Sequence, residues 1–207
     1  MIKFETNDVW GFEWAFKGMR NPMNSWNNSD SDWLFQEIGM NDLVLAKRLI
    51  NAGSEHRKFL RQIYVSVDIT APMFWWFEYD TYKVGTTRNS CSKMHKIHIK
   101  PFLYNDFTHE GIDEVTTDYP ELKRIFRNYI ETIEELRLLF NKTQEKKYWR
   151  ALIEMLPEGY NMRATVTMTY ENIYTMRQQR KGHKLDEWRI DFFNWSDELP
   201  HLKELFD

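Results

Sequence analysis

Apolar and polar residues alternate along residues 61–70, where Ile63, Val65, Val67 and Ile69 interleave with Tyr64, Ser66 and Asp68. A repeat of two sends successive side chains to opposite faces, so the pattern predicts a half-buried strand, ended by Pro72. Residues 163–169 alternate in the same way and predict a second strand, residues 94–100 a third. Aromatic and apolar spacing over residues 1–18 predicts short strands, followed by a turn at Gly18-Met19-Arg20-Asn21-Pro22.

Helical spacing is clearest over residues 120–142. There Leu122, Ile125, Phe126, Tyr129, Ile133, Leu136 and Phe140 recur about every 3.6 residues. Asp118 is placed to cap this helix and Pro120 suits its first turn. Glu131, Glu134 and Glu135 are expected on its solvated face. Shorter helices are predicted over 74–82, 144–155, 170–180, 185–195 and 199–206, and behind Asn41-Asp42 until Gly53. The polar run 24–32 reads as a mobile loop. There is no internal repeat or linker, so one α+β domain spanning residues 1–207 is expected.

Composition narrows the function classes. At 207 residues the chain needs no staple, and a lone cysteine, Cys91, excludes an internal disulfide and suits a reducing, cytoplasmic setting. A net charge of -3 argues against a nucleic-acid-binding surface. No apolar run reaches the roughly 20 residues of a membrane span, so no membrane partner is expected.

Candidate chemistry gathers in two stretches. Residues 74–98 run from consecutive aromatics through Gly85 into Lys83, Thr86, Thr87, Arg88, Asn89, Ser90, Ser92 and His95, a density of donors suited to an anionic ligand. Farther on, Arg177, Arg180, Lys181, His183, Lys184 and Arg189 form the densest cationic cluster, fit either for phosphate or for a solvated helix end. His95 and His98, three apart on the expected strand, face opposite ways and do not suggest a metal site. Cys91, among small residues, reads as a packed side chain.

The order of elements adds a resemblance. Leu156-Pro157, then a Thr-containing strand at 165–169, Asn172 on a helix, Arg180 and Glu187-Trp188-Arg189 resemble the C-terminal half of flavin-dependent thymidylate synthases, in particular divergent, phage-type members. Upstream, Glu55-His56 is similar to the family's Glu-His pair. The window 82–95 matches its signature, R-H-R-x-x-S-x-N-E-x-S-x-R-Y, at Asn89 and Ser92, with Thr87 for the first serine. The opening R-H-R is replaced by Tyr82-Lys83-Val84, the glutamate by Ser90 and the closing pair by Met94-His95. No arginine follows Arg189.

The resemblance implies a central antiparallel or mixed sheet flanked by helices, and a homotetramer. It also implies transfer of a one-carbon unit to C5 of a pyrimidine nucleotide, dUMP. FAD would be the cofactor, with NADPH and methylenetetrahydrofolate as co-substrates. By this resemblance Ser90, Ser92, Lys93 and Arg180 contact the nucleotide, and Arg180 polarises the pyrimidine or holds its phosphate. His56, Lys83, Thr87, Arg88 and Asn89 face the flavin. The replaced signature positions keep open an alternative, a non-catalytic nucleotide-binding or oligomeric interaction protein on the same fold.

Overall fold

The computed structural model describes residues 2–207. Its elements run, in chain order, β1 (Lys3–Trp10), α1 (Phe12–Arg20), α2 (Met40–Ala52), β2 (Tyr64–Pro72), α3 (Met73–Tyr79), β3 (Thr87–Ser90), α4 (Lys93–Lys96) and α5 (Glu110–Val115). Then follow α6 (Glu121–Thr143), α7 (Lys146–Glu154), β4 (Asn161–Thr169), α8 (Tyr170–Arg180), a π-helical segment (Glu187–Phe192), α9 (Phe193–Asp197) and α10 (Leu202–Phe206). The strands form one sheet in the order β1-β2-β4-β3. Hydrogen-bonded pairs Tyr170–Ile63, Thr165–Asp68 and Met73–Tyr160 share one constant sum of residue numbers, which is the register of an antiparallel pairing. The α+β class with an antiparallel sheet is therefore as expected.

The chain groups into two compact units. The sheet unit comprises Ile2–Ile69, Asp80–Asn89 and Thr165–Asp207. On β2 the alternation places Val65, Val67 and Ile69 inside, and Val166 and Met168 of β4 join them in the core. Where short strands were expected across residues 1–18, the second half is instead α1. Ala15, Phe16 and Met19 are spaced for a helical stripe and are buried as one. Gly11 makes the junction with β1: its φ is +100°, and a Cβ there would meet the Gln62 carbonyl oxygen at 2.1 Å.

Residues 24–32 are held by side chains of α2. The Asp42 carboxylate accepts from Ser29 Oγ at 2.6 Å, from Ser31 Oγ at 2.6 Å and from Arg20 Nε at 2.6 Å. In return Asp30 accepts the N–H groups of Asn41 and Asp42, capping the start of α2 from the loop. Burial by itself would raise the Asp42 carboxyl, but the hydrogen bonds from Ser29, Ser31 and Arg20 hold it below the usual carboxylate range.

The helical unit comprises Thr70–Tyr79 and Ser90–Ala164. Its core gathers Ile97, Phe102, Phe107, Ile130, Ile133 and Leu152. The long helix is as predicted in extent, but α6 starts behind Pro120 with no side-chain cap, and Asp118 lies in the preceding turn, its N–H on Val115 O. Glu134 departs from the expected solvated face: its carboxylate binds Arg137 Nη2 at 2.5 Å and Phe102 N–H at 2.9 Å. Residues 94–100 do not form the expected strand. Ser92 Oγ accepts His95 N–H and caps the one-turn helix α4, and Met94, His95 and Lys96 are exposed. Only Ile97 of this run is buried, and with its alternating neighbours exposed a local cap outweighs the alternation.

Candidate functional site

In the sheet unit, Asn172 joins the start of α8 to the turn over residues 82–86. Thr169 Oγ1 accepts Asn172 N–H, and Asn172 Oδ1 accepts Thr169 N–H at 3.0 Å, a reciprocal cap at the helix start. Asn172 Nδ2 then donates to Val84 O at 2.8 Å. Gly85 lets the chain pass: its φ is +79°, and a Cβ would lie 3.2 Å from Asn172 Oδ1. Thr86 Oγ1 closes the turn onto Tyr82 O at 3.1 Å. Asn172→Ala removes the reciprocal half of the cap and the tether, leaving Thr169 Oγ1 on the backbone N–H, a loss of about 1–2 kcal/mol. Amide exchange over residues 83–87 should accelerate by about 5- to 30-fold relative to β2, read by mass spectrometry. Unchanged exchange in that turn would refute the tether.

The same turn braces Arg180. Arg180 Nε donates to Tyr82 Oη at 2.9 Å, and Tyr82 Oη donates to Gln179 Oε1 at 2.9 Å. The guanidinium lies 5.4 Å from the Tyr82 ring and 4.9 Å from the Trp188 ring. Trp188 is fully buried and belongs to the π-helical segment, a wide turn often found at functional sites. Two rings and a hydroxyl thus hold a planar cation in one orientation, which pre-organises it for a planar anionic or carbonyl partner.

The predicted six-cation cluster does not act as one. Arg177 Nη1 binds Asp197 Oδ1 at 2.7 Å and Ser196 Oγ at 2.6 Å, with its guanidinium 4.5 Å from the Phe193 ring. Arg189 Nη2 pairs with Asp186 at 2.5 Å. The first ties α8 to α9, and the second is an exposed pair within one helical turn. Arg88 pairs with Asp80 at 3.1 Å, while Lys83, Thr87 and Asn89 are exposed along the same stretch.

Three predicted residues belong to the helical unit. Ser90 is exposed at the end of β3. Ser92 uses an oxygen lone pair to cap α4, which leaves its hydroxyl hydrogen to donate. Lys93 Nζ contacts Met73 Sδ at 3.1 Å. Cys91, expected to be packed, is exposed. Among the described residues no group of three or more His, Cys, Asp or Glu could hold a metal ion.

His56 lies at a separate opening of the sheet unit, a cleft of about 1660 Å³. Arg48, Lys58 and Arg61 line it with His56, and Val44 and Leu49 add apolar wall. Glu171 of α8 binds both Arg57 and Arg61, so one acid fixes two bases beside the mouth. Beneath lies the Arg20–Asp42 pair, with Arg20 Nη2 buried and without a hydrogen-bond partner. The basic segment after Glu55-His56 is visible in sequence. Its meeting with Arg20 and Arg48 is not, because helical spacing alone does not say which helices adjoin. Tyr82 and Trp188 were likewise missed as braces. An aromatic at the start of the altered signature was the only available signal.

No protein-family profile matches the chain, and no curated protein matches it. Solved structures do. Thymidylate synthase X (ThyX) from Helicobacter pylori with FAD and dUMP superimposes with a TM-score of 0.73 at 17% identity, covering 100% of this chain and 98% of that one. A second structure of the flavin-dependent thymidylate synthase ThyX from Helicobacter pylori, complexed with FAD and dUMP, gives a TM-score of 0.72 at 16% identity, covering 99% and 98%. The chain has the fold of these enzymes along its whole length, as the order of its sequence motifs implied.

Proposed function

We propose that this protein is a flavin-dependent, thymidylate synthase-like enzyme that transfers a one-carbon unit to C5 of a pyrimidine nucleotide, dUMP. The observation that carries the reading is Arg180, clamped by Tyr82 and Trp188 at the end of α8, in a chain that shares its full-length fold with structures holding FAD and dUMP. In this reading Arg180 polarises the pyrimidine carbonyl or neutralises the nucleotide phosphate. Ser90, Ser92 and Lys93 supply further donors to the nucleotide, and Ser92 keeps its hydroxyl hydrogen for that purpose.

The cleft fits a flavin dinucleotide on the chemistry of its donors. Its volume of about 1660 Å³ exceeds an ordinary ligand pocket, and His56, Arg48 and Lys58 suit a pyrophosphate beside apolar Val44 and Leu49. Lys83, Thr87, Arg88 and Asn89 would hold the remaining polar edge of the cofactor. A bound flavin supplies the hydride, with NADPH as reductant and methylenetetrahydrofolate as carbon donor. The protein's own part is to orient the nucleotide, exclude water and stabilise negative charge on the pyrimidine. We place the working form as a homo-oligomer, a tetramer by likeness to the family.

A second reading is favoured by a specific observation. Arg177 and Arg189 are both committed to carboxylates, and Tyr82-Lys83-Val84 stand where the family carries R-H-R. On that reading the fold is a nucleotide-binding scaffold without turnover. Thermal unfolding with FAD and with dUMP, followed by tritium release from C5-labelled dUMP, separates the cases. Binding with release supports the enzyme, binding without release supports the scaffold, and no shift with either ligand removes both.

A further inference from the structure

On α6, Glu135, Leu138, Leu139 and Lys142 line one shallow apolar depression of the helical unit. Leu138 is 53% exposed and Leu139 40%, although the opposite side of the same helix carries the buried Ile130 and Ile133. At about 100° per residue the four side chains fall within about 100° of arc, so they form one face. Glu135 and Lys142 have no ion-pair partner among the described residues, whereas Glu134 and Arg137, one position round the helix, pair with each other.

The order of these residues is self-complementary. When two copies of a helix pack antiparallel about a two-fold axis, residue i faces residue j wherever i + j is constant. Setting Leu138 against the second copy's Leu139 makes the constant 277, and the same constant sets Glu135 against the second copy's Lys142. Two leucine contacts lie at the axis, and two opposite-charge pairs lie one turn out, one on each side. A parallel arrangement would instead put Glu135 against its like.

We propose that this α6 face is an isologous interface between two copies of the chain, with apolar contact at its centre and the Glu135–Lys142 pairs setting its direction. One helix pair buries little area, so it stands at the low end of interface sizes and associates weakly on its own. The charges then act chiefly to specify the antiparallel register. This surface is independent of the nucleotide reading and of any other subunit contact.

The test is sedimentation velocity over a range of protein concentrations, with circular dichroism confirming that each variant is folded. Glu135→Lys and Lys142→Glu each place like charges together twice across the axis and should weaken one association step by about tenfold. The double variant restores opposite charges and should recover the wild-type step. Leu138→Asp should abolish it in either charge background. In a Cys91→Ser protein, Leu138→Cys should form an intermolecular disulfide under mild oxidation. The proposal is overturned if the single charge variants sediment as wild type, if the double variant does not recover, or if wild type shows no such step.

Discussion

Replacing Asp42 with alanine is expected to cost about 3–5 kcal/mol, because it leaves the buried Arg20 cation without its carboxylate. Asp42 is fully buried and Arg20 is 4% exposed, so solvent cannot take over the missing charge. The same change frees Ser29 and Ser31, leaving residues 24–32 fastened to α2 through Asp30. Urea unfolding measures the loss, and a cost under about 1 kcal/mol would contradict the assignment. Replacing the pair together, Arg20→Met with Asp42→Leu, should cost less than Asp42→Ala alone, since no charge is then stranded.

The pH dependence follows from the direction of the Asp42 shift. Its folded carboxyl titrates below the ordinary value, so the stability it contributes is fully present above the unfolded pKa of about 3.9. That contribution is lost as pH falls through the lower folded value. Wild type and Asp42→Ala should therefore differ most near neutrality and converge in strong acid.

Arg180→Ala is expected to weaken dUMP binding by roughly 30-fold, about 2 kcal/mol, the scale of a charge-assisted contact. FAD affinity should change much less, because the flavin reading rests on the cleft at His56. Isothermal titration with each ligand checks the split. Tyr82→Phe keeps the ring but loses the hydroxyl that accepts from Arg180 Nε. It should give a smaller loss in dUMP affinity, about fivefold, with the melting temperature nearly unchanged. Equal losses for FAD and dUMP in Arg180→Ala would mean that the arginine acts on the fold and not on the nucleotide.

Much of the architecture could be read directly along the chain. The alternation of Val65, Val67 and Ile69 placed β2, and the Leu122-to-Phe140 stripe placed α6, because both periods report a single buried face. The Thr165-to-Arg189 order pointed to the fold that the structural likeness bears out. Two segments went astray for definable reasons. Residues 94–100 alternate but bury only Ile97, so Ser92 capping decided them. Residues 12–20 carry aromatics that serve a helical stripe as readily as a strand. In the candidate site, donors such as Lys83, Asn89 and Ser92 were visible as a dense polar run. Their geometry was not.

Local periodicity and glycine positions are properties of neighbouring residues, and so the chain alone determined the order and type of most elements, the long helix above all. Which surroundings a cation of the C-terminal stretch takes depends largely on residues far apart in the chain. Arg177, Arg180 and Arg189 look alike in sequence. Only the tertiary structure brought the first to Asp197 and the middle one to the rings of Tyr82 and Trp188, while the last keeps a local pair with Asp186 three residues before it. The physical reason is range: a helix pattern specifies a face, while an ion pair or a ring contact requires that two faces meet.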